Sequence, residues 1–237
     1  MTSYRVERAG DLNELARIAS QSIATYIDLA LKERERAQVS LSGGSTPYKT
    51  YTLLGKQHIP WERVDILLGD ERWVDSNDNA SNAGMISRTI LSTKPSSCSR
   101  FHPIPTTQLP NPQASAEAFS EILSKVCLGD PPIFDLILLG LGDDGHTASL
   151  FPGSDSLSVT KQWVVSTRAK GHDRITLTAQ VLSAARKVVF LVSGASKQIA
   201  LQRLLDPSES PSRTPAKLVR PKSEILVLAD EAASELI

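Results

Sequence analysis

The sequence predicts an α/β protein with a mainly parallel sheet and helices on both faces. Three observations carry this. Short apolar runs alternate with amphipathic stretches along most of the chain, the β-then-α order of a parallel sheet. Several of those runs end in turns marked by glycine or acid, the most informative being Gly140-Leu141-Gly142-Asp143-Asp144-Gly145-His146-Thr147. No internal repeat interrupts the pattern, and 237 residues at 41% hydrophobic content suffice for one domain with a sizeable core.

Leu12, Leu15, Ala19, Ile23, Tyr26, Ala30 and Leu31 recur at three- and four-residue steps and predict a long first helix. Asp11, with Glu14 three residues on, resembles a capping box at its start. Residues 38–41 read as a strand. The turn Ser42-Gly43-Gly44-Ser45-Thr46 follows, then a short helix opened by Pro47, a favoured first-turn position for proline. The next strand is 64–68, ending at Gly69-Asp70-Glu71-Arg72. A polar stretch, 75–82, precedes a helix near 83–91. Residues 92–112, rich in Pro, Ser and Thr, read mostly as loop. A helix over 114–126 and a buried strand over 134–139 come next. Residues 163–167 and 175–177 read as shorter strands, 188–192 as a strong strand, and 194–205 as a helix. Residues 207–215 read as a surface linker too short to separate domains. A last strand, 225–228, and a last helix, 231–236, complete the reading.

Lys+Arg and Asp+Glu are both 26, so the formal net charge is zero. That argues against a nucleic-acid partner, which needs a basic excess, while leaving room for a local basic pocket. The first residues carry no apolar signal segment, and no run approaches the ~18 residues needed to cross a bilayer, so no membrane partner is expected. Cys98 and Cys127 are the only cysteines and form no CxxC pair. A disulfide framework or thiolate zinc site is not expected, and a reducing cytoplasm is the default location.

In a parallel sheet, turns that follow separate strands meet at one edge, where open α/β sheets bind small molecules. Ser42, Gly43, Gly44, Ser45 and Thr46 offer backbone N–H groups, hydroxyls and a helix N-terminus, a phosphate cradle without the lysine of a Walker A loop. Asp70 and Arg72 are candidates for orienting and charge-stabilising roles, against the bland reading of a surface ion pair. Residues 140–145 fit GxGxxG, but Asp143 and Asp144 would repel a pyrophosphate, and residues 161–166 lack the ribose-binding acid. A dinucleotide site is therefore rejected. His146, two residues from Asp144, is instead read as an acid–base group. No second histidine or cysteine stands at ligand spacing, so no metal site is expected. Arg174 heads a strand and Lys197 lies in the first turn of a predicted helix, where a cation is unfavourable unless an anion sits nearby. Together they read as a phosphate clamp.

The segments Ser42 to Pro47, Gly69 to Trp73 and Gly142 to Gly153 together resemble the 6-phosphogluconolactonase family, part of a wider group with glucosamine-6-phosphate deaminases. Ser81-Asn82, the Arg174 segment, residues 194–197 and the tail 215–233 fit the same pattern, so the resemblance covers nearly the whole chain in order. It implies a modified Rossmann-like fold, no cofactor, no metal and a sugar-phosphate lactone as partner. The implied reaction is hydrolysis of 6-phospho-D-glucono-1,5-lactone to 6-phospho-D-gluconate, the second step of the oxidative pentose phosphate pathway. His146 matches the family's catalytic histidine. Arg72, Arg174 and Lys197 match positions lining the substrate site, the latter two on the phosphate side. Asp144 would orient the loop or the imidazole, and Asp70 would give polar support. Asp143 departs from the pattern, since many relatives carry proline there. The loop 74–79 also lacks prolines often seen in the family.

On this reading kcat/KM rises through a pKa near that of imidazole, about 6.5 when unperturbed. A monomer or weak homo-oligomer is expected. Two rival readings fit the residues less well. The deaminase branch carries an acid before the proline where this chain has Phe151. A non-catalytic sugar-phosphate sensor would need an appended DNA-binding module, for which the charge balance gives no support.

Overall fold

The structure, a computed structural model, describes residues 2–237. In chain order the elements are β1 (Tyr4–Ala9), α1 (Leu12–Glu33), β2 (Ala37–Leu41), α2 (Thr46–Leu54), β3 (Val64–Leu68), β4 (Asp70–Arg72), α3 (Asn82–Arg88), β5 (Arg100–Phe101) and α4 (Pro112–Val126). They continue with β6 (Leu136–Gly140), β7 (Val164–Ala169), β8 (His172–Leu177), α5 (Ala179–Ala184), β9 (Val188–Val192), α6 (Gln198–Leu205), β10 (Ile225–Asp230) and α7 (Glu231–Ser234).

A seven-stranded parallel sheet in the order β1-β10-β9-β6-β2-β3-β5 forms the frame, flanked by helices. Strands β3, β9 and β10 are buried at every position. This explains why β9 is apolar throughout and why β3 and β10 are apolar except for Asp65 and Asp230: a parallel strand covered on both faces has no water-facing side to mark with alternating polar residues. Helix α1 starts where Asp11 Oδ1 accepts the N–H groups of Asn13 and Glu14 at 2.7 and 2.8 Å. Glu14 completes the cap on the N–H of Gly10 instead of Asp11. Leu15, Ala19, Ile23, Ile27 and Ala30 form the buried stripe of α1.

The structure corrects the sequence reading at several points. β1 was not foreseen. It lies at the sheet edge, paired only to β10, and its alternation of Tyr4 and Val6 with charged residues hides the strand. Asp70–Arg72 is a strand of its own, not merely a turn after β3. It pairs antiparallel with β8, which pairs antiparallel with β7, in a second, three-stranded sheet. The stretch read as loop contains β5, α5 was missed, and residues 195–197 form a 3-10 turn before α6 begins. Lys197 therefore stands at the N-cap position of α6, with no side-chain cap bond, and does not lie within its first turn. The segment read as a surface linker ends in the buried Thr214, packed against Gly145.

Candidate active site

β2 and β6 are neighbours, yet the chain leaves them in opposite directions: toward β3 and β5 on one side, toward β9, β10 and β1 on the other. A crevice opens beyond the carboxyl ends of the strands at such a switch point. Here it is a cavity of about 220 Å³. Ser42, Gly43, Gly44, Ser45 and Thr46 line it from the turn after β2, and His146 from the turn after β6. Asp70 and Arg72 reach it from β4, Arg174 from β8, and Lys197 from the 3-10 turn after β9. Of the residues singled out from the sequence, only Asp144 does not line the cavity; it is bonded to His146 instead.

The turn carrying His146 is closed by its own backbone. Gly145 N–H donates to Gly142 O at 3.0 Å, and Gly142 N–H donates to His146 O at 2.8 Å. A side chain at 142 has no room, because its Cβ would stand 1.9 Å from His146 Nδ1. Gly145 adopts φ 85°, and a Cβ there would press on Thr214 at 3.0 Å. Ala148, with φ 47°, carries the turn onward in a conformation that residues other than glycine rarely adopt.

Asp144 Oδ1 meets both the His146 N–H at 3.1 Å and the ring Nδ1 at 2.5 Å. Burial works against the Asp144 charge. The bonds from His146, its charge and the bond from Lys170 outweigh it and bring the carboxyl down to about 2. An ionised Asp144 requires the ring proton on Nδ1, which leaves Nε2 free to accept one. The Phe151 ring stacks on the imidazole at 4.2 Å between centroids. Burial lowers the pKa of His146 below its ordinary value, against the opposing pull of Asp144, and Lys170 lowers it further.

Asn82, not selected from the sequence as a site residue, ties the second sheet to the cavity. Its Nδ2 donates to Asp70 O at 2.8 Å, and its Oδ1 accepts from Arg72 Nη1 at 2.8 Å. It fits only because Gly43 has no side chain, since a Cβ there would lie 1.9 Å from Asn82 Oδ1. Beneath it the buried Glu71 accepts the N–H groups of Arg72, Asn82 and Ala83 at 2.7–2.8 Å, seating α3 on β4. Burial raises the pKa of Glu71 despite those donors. Ser149 Oγ donates to Asp70 Oδ2 at 2.5 Å, and Arg174 Nη1 lies 3.8 Å from the same oxygen. The Arg174 guanidinium also sits 5.2 Å from the centroid of Phe151. Asn82, Ser149, Phe151 and Lys170 were missed as site residues. Ser81-Asn82 and Phe151 were already visible in the motifs, whereas Lys170 left no local signal.

The opposite wall is less committed. Ser42 Oγ is buried without a hydrogen-bond partner. Gly44 takes φ 100° with open space where a side chain would stand. None of the ion pairs among the described residues uses Lys197. Among the described residues no group of three or more His, Cys, Asp or Glu side chains could hold a metal ion. Among the described residues no helix is long and apolar enough to cross a membrane.

Fold and site together define an α/β enzyme with an imidazole–carboxylate pair at the carboxyl edge of a parallel sheet. Residues 10–228 match the family of glucosamine-6-phosphate isomerases/6-phosphogluconolactonase, and the chain belongs to that family. It is 39% identical over 216 residues to 6-phosphogluconolactonase of Synechocystis sp., covering 90% of each chain. Among solved structures, the 6-phosphogluconolactonase of Shewanella baltica superimposes with a TM-score of 0.88 at 29% identity, covering 96% of this chain and 97% of the other. The enzyme of Trypanosoma brucei does so with a TM-score of 0.86 at 26% identity, covering 99% of both.

Proposed function

We propose that this enzyme hydrolyses 6-phospho-D-glucono-1,5-lactone to 6-phospho-D-gluconate, with His146 as general base and then general acid. The observation that carries the reading is one cavity lined by His146, whose ring Asp144 holds from outside it, and by Arg72, Arg174 and Lys197, cations from three separate segments. An uncharged ring beside a fixed carboxylate suits proton abstraction, and a ring of cations suits an anionic sugar. His146 Nε2 takes a proton from water as the water oxygen attacks C1 of the lactone. The developing oxyanion is stabilised by Arg72 or by backbone N–H groups. Collapse breaks the bond from C1 to the ring oxygen, which recovers the proton from the imidazolium. The new carboxylic acid ionises and releases a proton to solvent.

The phosphate acts as the handle that fixes the sugar ring against the base. The turn Ser42 to Thr46, Lys197 and Arg174 are its proposed holders. Every step runs through side chains and water, with no metal or cofactor. Phe151, stacked on His146 where the deaminase branch carries an acid, favours lactone hydrolysis over deamination. The chain is read as one domain on its continuous core, and as a monomer or weak homo-oligomer. A cytoplasmic location belongs to the same reading, resting on free thiols at Cys98 and Cys127.

The test is proton release on adding fresh 6-phosphogluconolactone, corrected for spontaneous opening. His146→Ala is expected to lower kcat by roughly 10²–10⁴-fold, the usual contribution of a positioned base. Affinity for 6-phosphogluconate should stay within a few fold. Normal kcat in that variant would remove the imidazole from the reaction.

A further inference from the structure

The β7–β8 hairpin turns in two residues, Lys170 and Gly171, between the paired Ala169 and His172. Both turn residues have positive φ, 50° at Lys170 and 81° at Gly171, as a tight hairpin turn of this hand demands. Asparagine, aspartate or glycine fills the first of these positions most readily. A lysine there is kept against local preference, which directs attention to what its side chain reaches. Its Nζ lies 3.2 Å from Asp144 Oδ2 and 3.7 Å from Asp143 Oδ1. It also stands 5.5 Å from the centroid of Phe151, the ring that stacks on His146. The two oxygens of Asp144 are thus divided, Oδ1 to the imidazole and Oδ2 to the ammonium.

That division matters for a base. A carboxylate alone beside an imidazole favours the protonated ring, and a ring that is already protonated cannot take a proton from water. We propose that Lys170 is a positioning residue for the dyad: it holds the outer oxygen of Asp144 and offsets that carboxylate's charge, so that His146 rests as the neutral base. Asp143 supplies a second anchor for the same ammonium, at a position where the turn could have carried an uncharged residue. The inference rests on the proposed role of His146 and extends it to a segment that does not line the cavity.

The charged groups around the ring are Asp144 on its own turn, Lys170 at the hairpin tip, Asp70 on β4, and Arg174 on β8 across Phe151. Arg72 and Lys197 face it from the cavity walls. Of those acting directly on the imidazole, Asp144 and Asp70 favour its protonation, and Lys170 opposes it. Removing Lys170 acts in one direction through both of its effects. It deletes a repulsion on the imidazolium, and it frees the full charge of Asp144 to hold the proton.

The experiment compares the wild-type protein with Lys170→Met and Lys170→Arg. Methionine keeps an unbranched apolar stem beside Phe151, and arginine restores the charge. The acid limb of kcat/KM is measured alongside the titration of the His146 ring by NMR. In Lys170→Met both are expected to move up by about half a pH unit at low salt. The loss of activity is therefore greatest at the foot of the limb. Lys170→Arg should return both toward wild type. At about 1 M salt the gap between wild type and Lys170→Met should narrow, because half-exposed charges are screened. An unmoved ring titration in Lys170→Met, or a uniform loss of kcat with no displacement of the limb, overturns the proposal. If the wild-type limb does not track the His146 titration, the base assignment fails instead, while the ring titration still decides what Lys170 does.

Discussion

On the β4 and β8 wall of the cavity, Asp70, Arg72, Asn82 and Arg174 all find partners within the protein. On the β2 and β9 wall, Ser42 Oγ and Lys197 Nζ find none, and the Gly44 and Ser45 amides meet no protein acceptor among the described residues. Of these only Ser42 Oγ is buried, and burying an unpaired polar group is costly; the Gly44 and Ser45 amides and the Lys197 ammonium are reached by solvent. The difference separates two tasks. The first wall is rigid before any substrate arrives, as a surface must be if it is to meet a developing charge without reorganising. The second wall presents donors with no internal acceptor, as suits an anion that supplies the acceptors itself.

The largest expected effect that could break this contrast comes from the rigid wall. Glu71→Ala would strip the acceptor from three N–H groups at once, two of them buried, and release α3 from β4. At about 1 kcal/mol or more per donor, stability should fall by about 3 kcal/mol. Thermal unfolding checks it, with a drop of roughly 6–10 °C for a chain of this size. A variant as stable as wild type would mean that the wall does not depend on its internal bonds.

The open wall should behave in the opposite way. Lys197→Ala is expected to leave stability within about 0.5 kcal/mol, since the side chain has no internal partner to lose. Affinity for 6-phosphogluconate should fall by roughly tenfold or more, the scale of a hydrogen bond to a charged group. Calorimetric binding and thermal unfolding on the same samples separate the two quantities. Arg174→Ala sharpens the comparison, because Arg174 is tied to Asp70 and packs near Phe151. Both affinity and stability should drop there. Equal profiles for the two variants would erase the distinction between the walls.

A smaller effect tests whether internal satisfaction behaves alike away from the cavity. Asp65, buried at the start of β3, accepts from Arg36 Nε at 2.6 Å and contacts His102 Nε2 at 2.9 Å. Burial raises its pKa, but these partners dominate and bring it down to about 2. A folded-state pKa below the unfolded value gives stability that is present above about pH 4 and lost as pH falls toward 2. The wild type should therefore exceed Asp65→Asn by about 1–2 kcal/mol at neutral pH, with the gap closing through that acid window. Urea unfolding at a series of pH values measures it, and a gap that persists at pH 2 would point to packing instead of charge.

Much of this arrangement was legible in the sequence. Strands β3 and β9 were bounded correctly because an apolar run flanked by polar residues leaves little choice of register. The turn around His146 stood out because its glycines, acids and histidine have no purpose in a plain connection. What stayed hidden depended on partners far along the chain. β4 is three residues long, too short to show a period, and exists as a strand because β8 pairs with it from about a hundred residues away. β1 is charged at Arg5, Glu7 and Arg8, as befits an edge strand, and pairs with a strand near the other end of the sequence. Lys170 lies in a polar hairpin whose composition carries no trace of the carboxylates that it meets.

Thr214 is fully buried against Gly145, and Ala216 N–H donates to Gly145 O at 3.0 Å. The stretch leading from α6 to Thr214 thus acts as a wedge set behind the histidine turn. Within it the Glu209 carboxylate accepts from Thr214 Oγ1 at 3.0 Å, and an insertion or deletion between them is expected to tilt the imidazole while the sheet stays intact. Length and the Glu209 anchor are what that segment must preserve, although it lies some seventy residues further along the chain from the group that it aligns.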